Sequence, residues 1–157
     1  AQAARLAWLL GIDYGDLLRR RVLQLMTPEV SGAVAAEGAD VQLHTHRHAS
    51  PRTREQFERE VCENRQRIEA ATGRRAEHFC YPSGLWYPEF LGWLAGLQVR
   101  SATTCRPGLV TATDNPLLLP RVVDTVSLAP IELEGWLSGV SQFMPRRRIE
   151  AARRRLA

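Results

Sequence analysis

The sequence predicts an α/β protein in which short strands alternate with helices, giving a parallel sheet or a partial barrel. Segments of strand-like alternation are each followed by a segment with helical spacing of apolar residues, the order typical of parallel α/β folds. The 157 residues suffice for one domain with a real core but are short for a closed barrel. Hydrophobic residues make up 45% of the chain and charged residues 24%, which is typical of a globular domain.

Helices are predicted where apolar residues recur every three to four positions and where proline starts or glycine ends the segment. These segments are residues 3–10, 27–38, 50–73, 88–96 and 127–144, with residues 11–25 as a partly helical connector. Strands are predicted at residues 40–43, 76–81 and 97–104, and a weaker edge strand at residues 117–124. The last of these is interrupted by Pro120, which cannot donate to a ladder.

Charge and cysteine usage limit the possible classes of function. All 21 basic residues are arginine, the net charge is +4, and six arginines lie in residues 145–157. We expect those residues to form an arginine-rich tail beyond a domain of residues 1–144. Binding of nucleic acid or an anionic membrane through the tail ranks last, since it lacks interleaved aromatic residues and a recognisable nucleic-acid fold. Three widely spaced cysteines indicate no disulfide framework.

The beginning of the chain gives little information on location. Its apolar run at residues 1–11 is too short to span a bilayer and lacks the features of a signal peptide. The chain opens without methionine and in mid-pattern, so we expect a piece of a longer protein. A cytoplasmic and a cell-envelope location both remain open, as does the oligomeric state.

Three of the four histidines, His44, His46 and His48, fall within five residues directly after the predicted strand 40–43. Open α/β sheets usually place their chemistry where strands end. If the chain turns helical there, the Cβ atoms of His44 and His48 lie about 5–6 Å apart. That spacing allows both rings to bind one zinc-like ion at about 2.0–2.1 Å, while His46 points away. A polar loop with solvated histidines is the alternative.

Two further stretches join the histidine cluster in resembling a known family. His44-Thr45-His46-Arg47-His48 fits the pattern H-[ST]-x-x-H, and residues 77–84 resemble a strand and turn of the type F-R-x-P-x-G. Together they resemble the polysaccharide deacetylases, carbohydrate esterases related to chitooligosaccharide deacetylase. Residues 102–121 also resemble a bacterial branch, and the likeness extends from about residue 27 to residue 144.

The resemblance implies a distorted (β/α) barrel, here lacking its first strand or strands, with a divalent metal, usually zinc. The family holds this metal with one aspartate and two histidines, and His44 and His48 match the two histidines. The backbone N–H of Ser83 would stabilise the oxyanion. The implied substrate-binding residues are Tyr81, Pro82, Gly84 and Trp86. The implied partner is an acetylated glycan or oligosaccharide. Trp86 is either a sugar platform or a packing residue.

Departures from the family pattern are as informative as the matches. The motif T-F-D-D, which supplies the general base and the third ligand, is absent, and Asp13, Asp16 and Asp40 do not match it. We therefore expect an N-terminally truncated deacetylase without useful activity on its own. A non-catalytic relative that binds sugar or metal is the alternative.

Single residues raise separate expectations. Cys80 stands where the second motif carries arginine, and no histidine follows His78 to act as the late general acid. We expect Cys80 to be a small filler in a buried strand and His78 to be structural. Arg121 is expected either near the pocket or in a surface salt bridge.

Overall fold

The computed structural model describes residues 2–21, 24–126 and 128–140. Its helices, in chain order, are α1 Gln2–Leu9, α2 Tyr14–Arg19, α3 Pro28–Ala36, α4 Arg54–Thr72, α5 Pro88–Gly96 and α6 Pro130–Leu137. Its strands are β1 His78–Cys80 and β2 Ser101–Thr103, and single 3₁₀ turns lie at Pro82–Gly84 and Pro116–Leu118. None of the described helices is both long and apolar enough to cross a membrane.

The sheet is parallel and small. Strand β1 pairs with β2 in the register His78↔Ser101 to Cys80↔Thr103. Single parallel bridges extend it on both sides, from Leu43 to Phe79 and from Thr103 to Leu119. Four chain segments therefore run side by side in the same direction, and the predicted α/β class with parallel strands is confirmed.

The predicted strand at residues 40–43 is reduced to a single bridge at Leu43. The side chain of Gln42 accounts for this, because its Oε1 accepts the backbone N–H groups of Glu77 and His78, each at 2.9 Å. The side chain of Gln42 thus binds two backbone N–H groups that a longer strand at residues 40–43 would bind through its own carbonyls. The main-chain bonds that remain run from Leu43 N to His78 O and from Cys80 N to Leu43 O, both at 2.9 Å.

Helix boundaries follow the capping residues. Thr27 accepts the N–H of Val30 at 3.3 Å at the start of α3, as its N-cap position predicts. Helix α4 begins at Arg54 rather than residue 50, and Gly73 ends it with a φ of 67°. Helix α6 occupies only Pro130–Leu137 of the predicted 127–144 segment, and residues 141–144 lie outside the described part of the chain.

An aromatic core fixes the helices against the sheet. The ring of Phe57 on α4 stacks on Phe90 of α5 with centroids 4.2 Å apart, and it lies 6.1 Å from Phe79 of β1. The ring of Phe79 in turn meets Tyr81 edge-on at 5.2 Å. All four residues are at most 2% exposed. This cluster holds the ends of β1 and the preceding bridge in place, which positions the loops that follow them.

Candidate active site

The histidine pair begins directly after the buried bridge residue Leu43. The backbone N–H of His44 donates to Oδ1 of Asn64 on α4 at 2.8 Å. Thr45 and His48 both adopt left-handed backbone conformations, with φ of 60° and 56°. Residues 44–48 therefore form a tight loop and not the helical turn on which the distance estimate for His44 and His48 depended. The loop is closed by Thr45, whose Oγ1 accepts the N–H of Ala49 at 3.0 Å.

The loop nevertheless brings the two predicted metal ligands together. The rings of His44 and His48 meet edge-on, with centroids 4.9 Å apart and an interplanar angle of 66°. His44 is half-buried and His48 is exposed. His46 is also exposed, and its backbone N–H donates to the carbonyl of Glu60 at 3.1 Å. The histidine ring contact found among the described residues is the one between His44 and His48.

A hydrogen bond selects the tautomer of the His44 ring. Its Nδ1 lies 2.7 Å from the backbone carbonyl of Cys80. Because a carbonyl only accepts, Nδ1 carries the proton, and in the neutral ring Nε2 keeps its lone pair. Metal-binding histidines usually show this arrangement, with the far nitrogen bonded to a backbone carbonyl. The chemistry of His44 thus fits a metal ligand.

The buried carboxylate of Glu60 stabilises the loop formed by residues 44–48. Glu60 accepts the backbone N–H of Arg47 at 2.8 Å and its guanidinium at 2.6 Å. The same guanidinium pairs with Glu63 at 2.6 Å. Burial alone would raise the pKa of Glu60, but the hydrogen bonds from Arg47 outweigh this effect and lower the pKa. The ionised Glu60 therefore holds the left-handed loop in shape.

The turn predicted to form the wall of an acetate pocket lies at the same end of the sheet as the histidine pair. The turn Pro82–Gly84 starts two residues after Cys80, whose carbonyl orients His44. Ser83 is exposed with a left-handed φ of 54°, and no acceptor for its N–H is found among the described residues. A Cβ on Gly84 would lie 2.7 Å from Cβ of Cys105, so only glycine fits there.

The remaining two substrate candidates differ in exposure. Tyr81 is 1% exposed, and its hydroxyl donates to the carbonyl of Leu117 at 2.9 Å. Its side chain belongs to the core, and burial raises the pKa of the hydroxyl, which stays protonated. The substrate contact of Tyr81 stays a prediction. Trp86 is 38% exposed and borders a cavity of about 210 Å³. The other lining residues are Thr104, Arg106, Asp114, Asn115 and Leu118.

Sequence reasoning missed the contacts around Cys80. The guanidinium of Arg121 lies 3.2 Å from Sγ of Cys80 and 3.6 Å from Sγ of Cys105. Cys80 is half-buried and lies against a cation, so it is more than a filler. Burial works against the charged form of Arg121, but the two sulfur contacts outweigh it and raise its pKa. The sequence signal for this cluster was Arg121, which lies in the predicted edge strand at residues 117–124.

The described residues do not complete a metal site. No group of three histidine, cysteine or carboxylate side chains comes together in ranges 2–21, 24–126 and 128–140. Asp13 and Asp16 pair with Arg19 in α2, and Asp40 accepts from Gln42 at 2.6 Å. His78 lies apart from the pair, with Nδ1 2.8 Å from Oγ of Ser101.

A parallel α/β sheet with H-[ST]-x-x-H at one strand end and a Pro-x-Gly turn at the next defines the class of protein, an α/β domain with its candidate site at the carboxyl ends of the strands. Comparison with protein families specifies it: a model of the polysaccharide deacetylase family matches residues 14–102. The chain belongs to this family. The match includes the histidine loop and the turn; it starts upstream of residue 27 and ends before most of the 102–121 segment. No curated protein sequence matches the chain.

Solved structures with the same fold support this assignment. The deacetylase PplD of Streptococcus pyogenes, determined in complex with acetate, is 19% identical with a TM-score of 0.66, covering 76% of this chain and 54% of that one. IcaB of Ammonifex degensii is 21% identical with a TM-score of 0.63, covering 71% and 53%. A polysaccharide deacetylase of Bacillus cereus is 20% identical with a TM-score of 0.63, covering 74% and 38%. The chain spans about half the length, or less, of these structures.

Proposed function

We propose that this chain carries part of the active site of a metal-dependent deacetylase that removes N-acetyl or O-acetyl groups from a carbohydrate. The observation that carries the proposal is the hydrogen bond between Nδ1 of His44 and the carbonyl of Cys80. It joins the histidine pair to the strand that leads into the Pro82–Gly84 turn. Membership of the deacetylase family and the four parallel segments support a partial, distorted (β/α) barrel as the frame.

His44 and His48 would hold the metal, zinc being the best fit for two imidazole ligands. Nε2 of His44 is the free nitrogen, and Asn64 and Cys80 fix the backbone and ring that present it. A divalent ion bound there would act as a Lewis acid: it would polarise the acetyl carbonyl and lower the pKa of bound water, so that the deprotonated water can attack. The loop geometry set by Arg47 and Glu60 keeps His48 against His44.

The turn would receive the acetyl group. The N–H of Ser83, unpaired among the described residues, is available to stabilise the oxyanion that forms on the acetyl oxygen. Gly84 has no Cβ, which lets the turn pack directly against Cys105. Exposed Trp86, next to the cavity of about 210 Å³, would stack on a sugar ring.

A non-catalytic deacetylase-like module that binds sugar or metal is the second candidate. One observation favours it: the described residues bring no third ligand and no carboxylate base to the histidine pair. General-base help is worth about 10²–10⁴ in rate, so a protein without one would bind far better than it hydrolyses.

The two candidates differ in turnover. Acetate release from N-acetylated chitooligosaccharides and from O-acetylated xylan is measured with the natural protein in its full length. We expect His44→Ala and His48→Ala to lose more than about 100-fold, because even residues that only orient ligands are worth 10–100-fold. His46→Ala, one position away and exposed, is the matched control and should keep full activity. Undiminished release by both variants would exclude the proposal, and sugar binding without any release would favour the second candidate.

A further inference from the structure

A second cavity lies at the edge of the sheet opposite to the candidate active site. Its volume is about 390 Å³, and it is lined by Arg65, Glu69, Gly73, Arg74 and Arg75. Residues 73–75 come before β1, whereas the histidine pair and the Pro82–Gly84 turn lie where the parallel strands end. We call this feature the arginine cavity.

The lining of the arginine cavity carries an excess of positive charge. Three guanidinium groups and one carboxylate, that of Glu69, border it. Arg74 is exposed, and its guanidinium has no partner among the described residues. Arg75 donates to Oε1 of Gln98 at 2.5 Å and lies 3.6 Å from a carboxylate oxygen of Glu77, which also pairs with Arg100. The cavity is therefore suited to an anion.

Arg65 brings a buried donor without an acceptor to this cavity. Its Nε donates to the carbonyl of Ala76 at 3.0 Å, and its Nη1 donates to the carbonyl of Leu97 at 2.9 Å. Nη2 is buried, and the described part of the chain supplies no acceptor for it. The two carbonyls fix the plane of the guanidinium, so the fold itself sets the position of Nη2. A buried N–H of a charged group without an acceptor costs free energy, which a bound anion would recover.

An oxyanion of the phosphate type fits this lining. Arginine binds phosphate oxygens through two parallel N–H bonds, and such charge-assisted bonds are strong. Two features oppose an anion: the carboxylate of Glu69 and the end of α4 at Gly73, which counts as about half a negative charge. The three arginines outweigh both, because their charge exceeds that of one carboxylate and one helix end together.

We propose that the arginine cavity binds a phosphate-type oxyanion through Arg65, Arg74 and Arg75. This inference goes beyond the proposed function and does not depend on it, since neither the histidine loop nor the Pro82–Gly84 turn borders the cavity. The oxyanion has two possible sources, a free phosphate group or the headgroup of an anionic lipid. The chemistry of recognition is the same for both, and an experiment with two arms separates them.

The first arm uses this chain and inorganic phosphate. Phosphate is titrated at constant ionic strength into wild type, Arg74→Met and Arg67→Met, and the backbone amide shifts are followed by NMR. Arg67 is an exposed arginine on the same helix as Arg65 and does not border the cavity, so it controls for the loss of one positive charge. We expect saturable shifts at residues 73–75. Arg74→Met should weaken binding at least about 10-fold, and Arg67→Met should leave it unchanged.

Replacing Glu69 by glutamine tests the same site in the opposite direction. Glu69→Gln removes a like charge from the lining and should tighten phosphate binding about 2–5-fold. Glu55→Gln, at an exposed position in the first turn of α4, is the matched control and should have no effect. These variants and Arg74→Met decide the question rather than Arg65→Met, which would also remove the hydrogen bonds to Ala76 and Leu97 and destabilise the fold.

The second arm identifies the source of the phosphate. Sedimentation with vesicles of phosphatidylglycerol and phosphatidylcholine is measured for the two arginine variants, with pure phosphatidylcholine vesicles as the control. Vesicle binding that Arg74→Met weakens more than Arg67→Met assigns the site to a lipid headgroup. Equal vesicle binding by the two variants, together with phosphate binding that depends on Arg74, assigns it to a free phosphate group.

Each outcome of the phosphate titration decides the inference. Binding that depends on Arg74 and not on Arg67, and that tightens in Glu69→Gln, supports the site. The absence of saturable shifts in wild type overturns it. Equal phosphate affinity of Arg74→Met and Arg67→Met, or of Glu69→Gln and Glu55→Gln, overturns it as well. Acetate release tests the proposed function separately, because that assay depends on the histidine pair at the other edge of the sheet.

Discussion

Replacing Gly84 by alanine tests the close packing of the acetate turn against Cys105. Both Gly84 and Gly73 have a φ of 67°, so alanine at either position meets the same left-handed backbone cost of about 1 kcal/mol. At Gly73 the added Cβ meets nothing within 4 Å. At Gly84 it would lie 2.7 Å from Cβ and 2.9 Å from Sγ of Cys105, which adds an overpacking cost of about 1–3 kcal/mol.

The expected difference between the two variants is measurable by thermal unfolding. In a domain of this size about 1 kcal/mol shifts Tm by 2–4 °C, so Gly84→Ala should melt about 2–12 °C below Gly73→Ala. Calorimetry or circular dichroism at a fixed protein concentration provides the Tm values. Equal Tm losses in the two variants would refute the close packing of the turn on Cys105.

Three further predictions concern the Glu60 carboxylate, the Tyr81 hydroxyl and the arginine-rich tail. The pKa of Glu60 is lowered in the folded protein, so the ionised carboxylate stabilises the fold fully above the ordinary value of 4.5. This stabilisation is lost as the pH falls through the pKa of the folded protein. The difference in Tm between wild type and Glu60→Gln should therefore disappear in acid. Tyr81→Phe should cost about 1 kcal/mol in the free energy of unfolding by chemical denaturation, because the carbonyl of Leu117 loses its donor, and zinc affinity should stay the same. Deleting residues 145–157, which lie outside the described part of the chain, should leave Tm within about 1–2 °C of wild type; a collapse of Tm would contradict their assignment as an exposed tail.

The class of fold was predictable because local signals agreed with the tertiary structure. Proline after Thr27 and Tyr87 starts helices α3 and α5, and Gly73 ends α4 in the left-handed conformation. The extent of the strands was not predictable. The side chain of Gln42 replaces backbone bonds across 35 positions of sequence, and no local pattern carries that information.

The site was predictable in composition but not in geometry. H-x-x-x-H suggested a helical turn, whereas the ion pair of Arg47 with Glu60 stabilises a left-handed loop that gives the same ring contact. The core position of the Tyr81 side chain depends on which face of the strand it lies on, and only the folded chain shows that this one faces the core. The contact of Arg121 with Cys80 joins residues 41 positions apart, so only the folded chain shows it.

Zinc titration tests the central claim, that His44 and His48 form a metal site, most directly. Binding to this chain is measured by calorimetry, together with His44→Ala, His48→Ala and the exposed control His46→Ala. Because catalytic zinc sites use three protein ligands and the described residues offer two, we expect weak binding of one ion. Either ligand variant should abolish it, and His46→Ala should bind as wild type does. Zinc binding that persists in both His44→Ala and His48→Ala would contradict the account.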